Sequence, residues 1–262
     1  MKALHFSFLF SLLLFIPVGL FAQEDADLRR AAKALGVKGT IVIESLDGST
    51  RYIFNQKRAA TRYSPASTFK IPNTLIALET GAIGGADDSI RWDGVTRGID
   101  NWNRDHTLRT AFQVSCVWFY QELARRVGFP PYERFINAMK YGNRVTGDSL
   151  TLFWLNDALK ISALEQIRVL RGIVREEFPF RRDAYATLKS IMVAEEKKDS
   201  YILYGKTGWS IRLSQQIGWY IGYVETPAGV WLFAVNLDIT SEAVLPLRKQ
   251  LALDALKAKG IL

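Results

Sequence analysis

Strand-like sequence lies at both ends of this chain and helix-like sequence fills the long middle, so any sheet must be assembled from segments far apart in sequence. Residues 39–46 and 50–54 flank Asp47-Gly48 in the manner of a β-hairpin. Strand signals return at 200–204, 216–221 and 229–237. Between about 65 and 195, apolar residues recur at helical spacing, most clearly over 111–127 and 162–174, and Gly128 is placed to end the first of these. Residues 246–259 alternate Leu and Ala with charges in a helical register. The pattern predicts an α/β fold of the α+β kind. Its antiparallel sheet is flanked by helices and draws strands from about 37–60 and 195–262, with a helical subdomain of about 65–195 inserted between them. A ligand cleft is expected where the two halves meet.

Ser67-Thr68-Phe69-Lys70 carries the first chemical signal. Residues at i and i+3 stand above one another on a helix, so Lys70 Nζ can reach the Ser67 hydroxyl. A serine at its free pKa is a poor nucleophile and needs such a neighbour. Ser64-Pro65-Ala66 reads as a turn ahead of the helix, and 71–78 is apolar enough to be buried. Alone, S-x-x-K also describes many solvated helix faces. Two further motifs accompany it: Ser115-Cys116-Val117, and then Lys206-Thr207-Gly208 between two strand-like runs.

Composition excludes several alternatives. Cys116 is the single cysteine, which rules out an intrachain disulfide and a thiolate zinc cluster. It reads as a small buried hydrophobe. His5 and His106 are the two histidines. His106, within Asn103-Arg104-Asp105-His106-Thr107, reads as a loop or surface residue, and no G-x-S-x-G elbow accompanies it, so the base is not histidine. The formal charge is +8, yet bases and acids intermingle, as in Glu195-Glu196-Lys197-Lys198-Asp199. That argues against nucleic acid as a partner and for a surface favouring small anions. Lys2, the apolar stretch 6–20 and Ala22 predict a signal peptide over 1–22, leaving 23–262 as the catalytic domain; an uncleaved anchor is the alternative. Secretion without disulfides suits a bacterial periplasm, with no membrane attachment once the signal is removed.

The order S-x-x-K, serine-centred triplet, K-T-G resembles that of the penicillin-recognising serine enzymes. The second motif is S-x-V where class A β-lactamases carry S-D-N. Tyr141-Gly142-Asn143, Trp154-Leu155 and Leu245-Pro246-Leu247-Arg248 complete a pattern similar to the class D, oxacillinase-type serine β-lactamases. Trp102-Asn103-Arg104-Asp105 and Ile217-Gly218-Trp219 echo it further. The resemblance implies a penicillin-recognising serine transpeptidase/β-lactamase-like fold. It also implies hydrolysis of the β-lactam ring of penicillin-type antibiotics through a serine acyl-enzyme, giving resistance, with β-lactams as the binding partners and a monomer or homodimer as the assembly.

Residue by residue, the resemblance makes Ser67 the nucleophile, and the backbone N–H groups of Ser67 and Trp209 the oxyanion hole. Lys70 would have a pKa far below the ~10.4 of free lysine and would take up carbon dioxide, supplied as bicarbonate, to become a carbamate. No other cofactor and no metal is implied. The carbamate would accept the Ser67 proton and later activate water, among Phe69, Val117, Trp154 and Leu155, with the Trp154 N–H as a donor. Ser115 would pass a proton to the lactam nitrogen. Lys206, Thr207 and Arg248 would bind the substrate carboxylate, Val117 and Leu155 would touch the substrate, and Gly208 would let it approach the strand. Tyr141-Gly142-Asn143 is expected to shape the cleft edge.

The loop following Trp209, with Arg212 at its centre, resembles that of some carbapenem-hydrolysing members, in which the arginine pairs with an acid just beyond the Trp-Leu position. Here Asn156 follows Leu155 and the acid is Asp157, one place later. Two other functions share these motifs: a penicillin-binding D,D-peptidase, and a β-lactam sensor domain built to stay acylated. The sensor is expected to carry several membrane spans and a cytosolic module, which this sequence does not contain.

Overall fold

The computed structural model describes residues 24–262; the signal peptide expected over 1–22 lies outside the described residues. Helix α1 (Ala26–Ala34) starts at Asp25, whose carboxylate accepts the N–H groups of Asp27 and Leu28. Strands β1 (Gly39–Ser45) and β2 (Arg51–Phe54) form the hairpin. Its connection is longer than a two-residue Asp-Gly turn: Ser45 N–H donates to Thr50 O at 2.9 Å, and Gly48 turns the chain at φ +79°. Helices α2 (Gln56–Ala60) and α3 (Lys70–Glu79) follow, the latter buried from Lys70 through Leu78.

The periodic stretch 111–127 is two helices, not one. After the two-residue strands β3 (Ser89–Ile90) and β4 (His106–Thr107), α4 (Leu108–Gln113) ends and α5 (Val117–Val127) begins anew. The break is at Ser115, which adopts φ +58°. The apolar spacing carries across it because both helices face the same core. Gly128 ends α5 at φ +77°, and α6 (Phe129–Ala138) starts at once with prolines in its first turn, where the missing N–H costs nothing. The Ser162–Glu165 capping box opens α7 (Ala163–Val174). Then α8 (Arg182–Met192) leads directly into β5 (Val193–Lys197), a strand exposed at every residue and therefore without an alternating pattern.

Strands β6 (Tyr201–Trp209), β7 (Ile217–Thr226) and β8 (Gly229–Asp238) and helix α9 (Leu247–Ala258) complete the chain. The antiparallel sheet runs β2-β1-β8-β7-β6-β5. Side chains alternate across it with the period of two that a strand imposes. Leu232 and Ala234 of β8 face α7 and the helical subdomain, whereas Phe233, Val235 and Leu237 face α1 and α9. Each fully buried aliphatic or Phe side chain of this kind stabilises the fold by about 1.5–3 kcal/mol. K-T-G thus lies inside β6 rather than between strands. Because β5 pairs only with Tyr201 through Tyr204, the edge of β6 from Gly205 onward is free on that side.

Candidate active site

Four contacts hold the turn preceding Ser67. Tyr63 and Ile161 exchange backbone hydrogen bonds, the Trp219 indole donates to Ser64 O at 2.8 Å, and the Ser64 hydroxyl donates to Trp154 O at 3.1 Å. Thr68 closes the turn, its N–H and hydroxyl both donating to Pro65 O, at 3.1 and 2.7 Å. Gln166 of α7 in turn donates to Thr68 Oγ1 at 3.0 Å. Within this frame Ala66 takes φ +47°, and Ser67 stands in the single 3-10 turn Ala66–Phe69 that leads into α3. The N–H groups at such a start have no intrahelical acceptor, which leaves that of Ser67 available to an anion.

Lys70 Nζ donates to Ser67 Oγ at 3.0 Å. The lysine is 1% exposed, lies 5.0 Å from the centre of the Tyr120 ring, and among the described residues has no acid within ion-pair distance. Burial without a counter-charge pulls its pKa down to about 7. Phe69, the residue before it, stacks on Trp154 at 5.8 Å and meets Tyr141 edge-on at 5.5 Å. Trp154 is fully buried, and among the described residues its indole N–H has no acceptor. A buried donor left open in an otherwise apolar pocket is costly, and suits an oxygen acceptor placed there.

Tyr141-Gly142-Asn143 clamps the loop that carries Trp154. Asn143 donates to Ala158 O at 2.8 Å and accepts from Lys160 N–H at 2.9 Å. Gly142 runs so close to that loop that a Cβ would sit 1.8 Å from Lys160 O.

Ser115 Oγ accepts a hydrogen bond from Lys206 Nζ at 2.5 Å. Lys206 is buried and also donates to Thr207 O at 3.1 Å. Burial, then the neighbouring Lys70, Arg248 and Lys249, drive its pKa well below the ordinary lysine value. With Lys206 as the donor, the Ser115 proton is free to point into the cleft. Lys206 Nζ is thus engaged by Ser115 and Thr207, and the residue is not part of the lining of the cavity that holds Ser67.

The ladder phase fixes the direction of the Trp209 N–H. Ser210 N–H donates to Ile217 O at 2.9 Å, making those two a hydrogen-bonded pair, so the adjacent Trp209–Gly218 pair is the non-bonded kind. The Trp209 N–H consequently points away from β7, out of the free edge. Its indole is held separately, donating to Gln216 Oε1 at 2.9 Å.

A cavity of about 360 Å³ opens over this edge; Ser67, Ser115, Val117, Leu155, Thr207, Gly208 and Trp209 line it. Arg248 reaches it from α9, with Nη1 donating to Gly208 O at 2.7 Å, and burial lowers its pKa to about 10, which leaves it charged at neutral pH. A Cβ on Gly208 would meet Pro65 O at 3.0 Å and Thr68 Cγ2 at 3.1 Å. The close approach that requires glycine is thus that of the Pro65–Thr68 turn to the strand.

One residue differs from expectation, and one leaves a pairing of some relatives unmade. His106 is buried at 1% exposure rather than at the surface, with Nδ1 against Thr110 Oγ1 at 3.1 Å and Nε2 against Asn101 O at 2.9 Å, so both ring nitrogens are engaged away from Ser67. Asp157 pairs with Lys160 at 2.7 Å and not with Arg212. Sequence reasoning gave no role to Trp219, Gln166 or Tyr120. Trp219 lay within a noted motif, but nothing in sequence tied it to Ser64, 155 residues away. Cys116 is buried, and burial lifts its thiol to about 11, the behaviour of an inert hydrophobe.

Residues 38–257 match the family model of the penicillin binding protein transpeptidase domain. The chain is 38% identical over 225 residues to the probable beta-lactamase YbxI of Bacillus subtilis (strain 168), covering 86% of this chain and 82% of that protein. It is 38% identical over 225 residues to beta-lactamase OXA-48 of Klebsiella pneumoniae, covering 86% and 84%. Beta-lactamase OXA-2 of Salmonella typhimurium is 40% identical over 232 residues, covering 88% and 82%. A crystal structure of the class D beta-lactamase YbXI from Nostoc superposes with a TM-score of 0.88 at 39% identity, over 91% of this chain and all of that one.

Proposed function

The chain belongs to the class D serine β-lactamases, and we propose that it opens the lactam ring of penicillin-type antibiotics through an acyl-enzyme on Ser67, with Lys70 carrying an N-carboxylate as the base. The observation that carries this reading is the 3.0 Å contact of Ser67 Oγ with a lysine buried without a counter-charge.

A group near Ser67 supports each step. Thr207 and Arg248 receive the substrate carboxylate, the guanidinium offering parallel donors. Ser67 Oγ attacks the lactam carbonyl, whose oxygen gains charge between the N–H groups of Ser67 and Trp209; removing one such donor typically costs ~100-fold or more. Ser115 delivers its proton to the ring nitrogen as the C–N bond breaks, and the Lys206 N–H donor steadies its oxygen. Carbon dioxide on the Lys70 amine supplies a carboxylate base for both halves of the reaction. A pKa of about 7 keeps a large share of that amine neutral, as uptake requires. The unpartnered Trp154 N–H fits an acceptor oxygen there, and the aromatic walls of Phe69 and Trp154 exclude competing water.

The test is hydrolysis of a chromogenic cephalosporin by the mature chain after removal of carbon dioxide, with and without added bicarbonate, beside Lys70→Ala. Turnover restored by bicarbonate and abolished in Lys70→Ala supports the proposal. A single stoichiometric burst in bicarbonate points instead to a sensor or a D,D-peptidase. Carbapenems belong to the proposed range on the strength of the short β6–β7 loop; no release of hydrolysed carbapenem at high enzyme concentration removes them. Export to the periplasm rests on the character of residues 1–22, and among the described residues no helix is long and apolar enough to cross a membrane. Cell fractionation, with the mass of the mature N-terminus, tests it.

A further inference from the structure

The active-site cavity has a second guanidinium besides the one assigned to the substrate carboxylate. Among the described residues two guanidiniums line it, those of Arg248 and Arg212, and no carboxylate does. Arg248 is taken up by the substrate carboxylate in the reading above, on which this inference rests. Arg212 is exposed on the rim, and among the described residues no acid lies within 4.0 Å of it. The acid that sequence places nearest to that role, Asp157, is held by Lys160.

The loop bearing Arg212 is anchored at its base. Ser210 is buried and exchanges hydrogen bonds with Ile217, its N–H donating to Ile217 O at 2.9 Å and its hydroxyl accepting from Ile217 N–H at 2.7 Å. Leu213 N–H donates back to Ser210 O at 3.2 Å, and the Trp209 indole ties to Gln216. Arg212 is therefore presented at the cavity mouth by a braced turn, three residues beyond the oxyanion donor Trp209. A guanidinium in that position attracts and orients a second carboxylate or sulfonate.

We infer that Arg212 reads a second anionic group on the substrate's acylamino side chain, so that this enzyme favours di-anionic penicillins over their mono-anionic parents. A matched pair that differs by one α-carboxylate, carbenicillin and benzylpenicillin, isolates the effect.

The experiment measures kcat/KM for both penicillins with wild type, Arg212→Ala, Arg212→Glu and Arg212→Lys, in bicarbonate at low and at 0.5 M salt. For an exposed charge, Arg212→Ala is expected to lower kcat/KM for carbenicillin about three- to fivefold, mainly through KM, and that for benzylpenicillin by less than about twofold. Arg212→Glu should widen the difference, Arg212→Lys should retain most of it, and high salt should shrink it. A carbenicillin-to-benzylpenicillin ratio equal in wild type and Arg212→Ala overturns the inference while leaving the hydrolytic reading intact. Wild type that hydrolyses neither penicillin overturns both.

Discussion

Lys206 donates to the Ser115 hydroxyl at 2.5 Å, joining the strand half of the molecule to the helical half across 91 residues of sequence. The contact has two consequences. It fixes the Ser115 oxygen between α4 and α5, where the backbone takes φ +58°, and it leaves the hydroxyl proton as the donor facing the cleft. Strain of this kind, roughly 1–3 kcal/mol, persists where surrounding contacts enforce it.

Ser115→Ala and Lys206→Ala should therefore each slow acylation by about 100-fold or more, the range of a lost general acid. The double variant should be little worse than either, because the two act as one unit. Stopped-flow acylation rates in a double-mutant cycle check this; additive losses would mean separate roles.

Gln166 lies outside the cavity lining, yet it sets Thr68, which closes the turn before Ser67. Gln166→Leu should lower kcat by about tenfold with KM little changed, at a stability cost of about 1–3 kcal/mol for the lost buried hydrogen bond. Gln166→Glu, which keeps an acceptor and loses the donor, should not restore the rate. Equal loss in kcat and in folded fraction would reduce Gln166 to a purely structural part.

Gly208→Ala places a methyl at 3.0–3.2 Å from the Pro65–Thr68 turn. The expected result is a folded protein whose kcat/KM falls at least about tenfold, since a shift of well under 1 Å at the nucleophile is costly. Unchanged kinetics would mean that the turn yields without moving Ser67.

Burial of Lys70 carries a stability cost with a definite pH window. In carbon dioxide-free buffer its folded pKa is about 7, against 10.5 in the unfolded chain. Below pH 7 both states hold the proton and the full cost is present. Between pH 7 and 10.5 the unfolded state binds more protons, so stability rises with pH. Lys70→Met should be more stable than wild type below pH 7, with the difference narrowing by on the order of 4 kcal/mol as pH reaches 10.5. Urea titrations across that range measure it; a difference independent of pH would contradict the buried, uncompensated amine.

The Ser67–Lys70 contact was legible because i, i+3 spacing alone brings the two side chains together. The sheet was legible through the near-continuous apolar runs of β7 and β8, which are buried on both faces. What sequence did not reveal had physical causes. β5 is solvated along its length and so lacks a pattern. The break at Ser115 leaves the apolar spacing undisturbed, because the helices on either side share one core. Trp219 and Gln166 act through contacts 155 and 98 residues away, which local pattern cannot encode.

The central claim is a hydrolytic acyl-enzyme on Ser67, and time-resolved intact-protein mass spectrometry with a penicillin in bicarbonate tests it most directly. The account predicts one adduct per chain, mapped to Ser67 and absent in Ser67→Ala, that disappears as the free enzyme mass returns with hydrolysed product. An adduct that persists for hours, or one on any other residue, would contradict it.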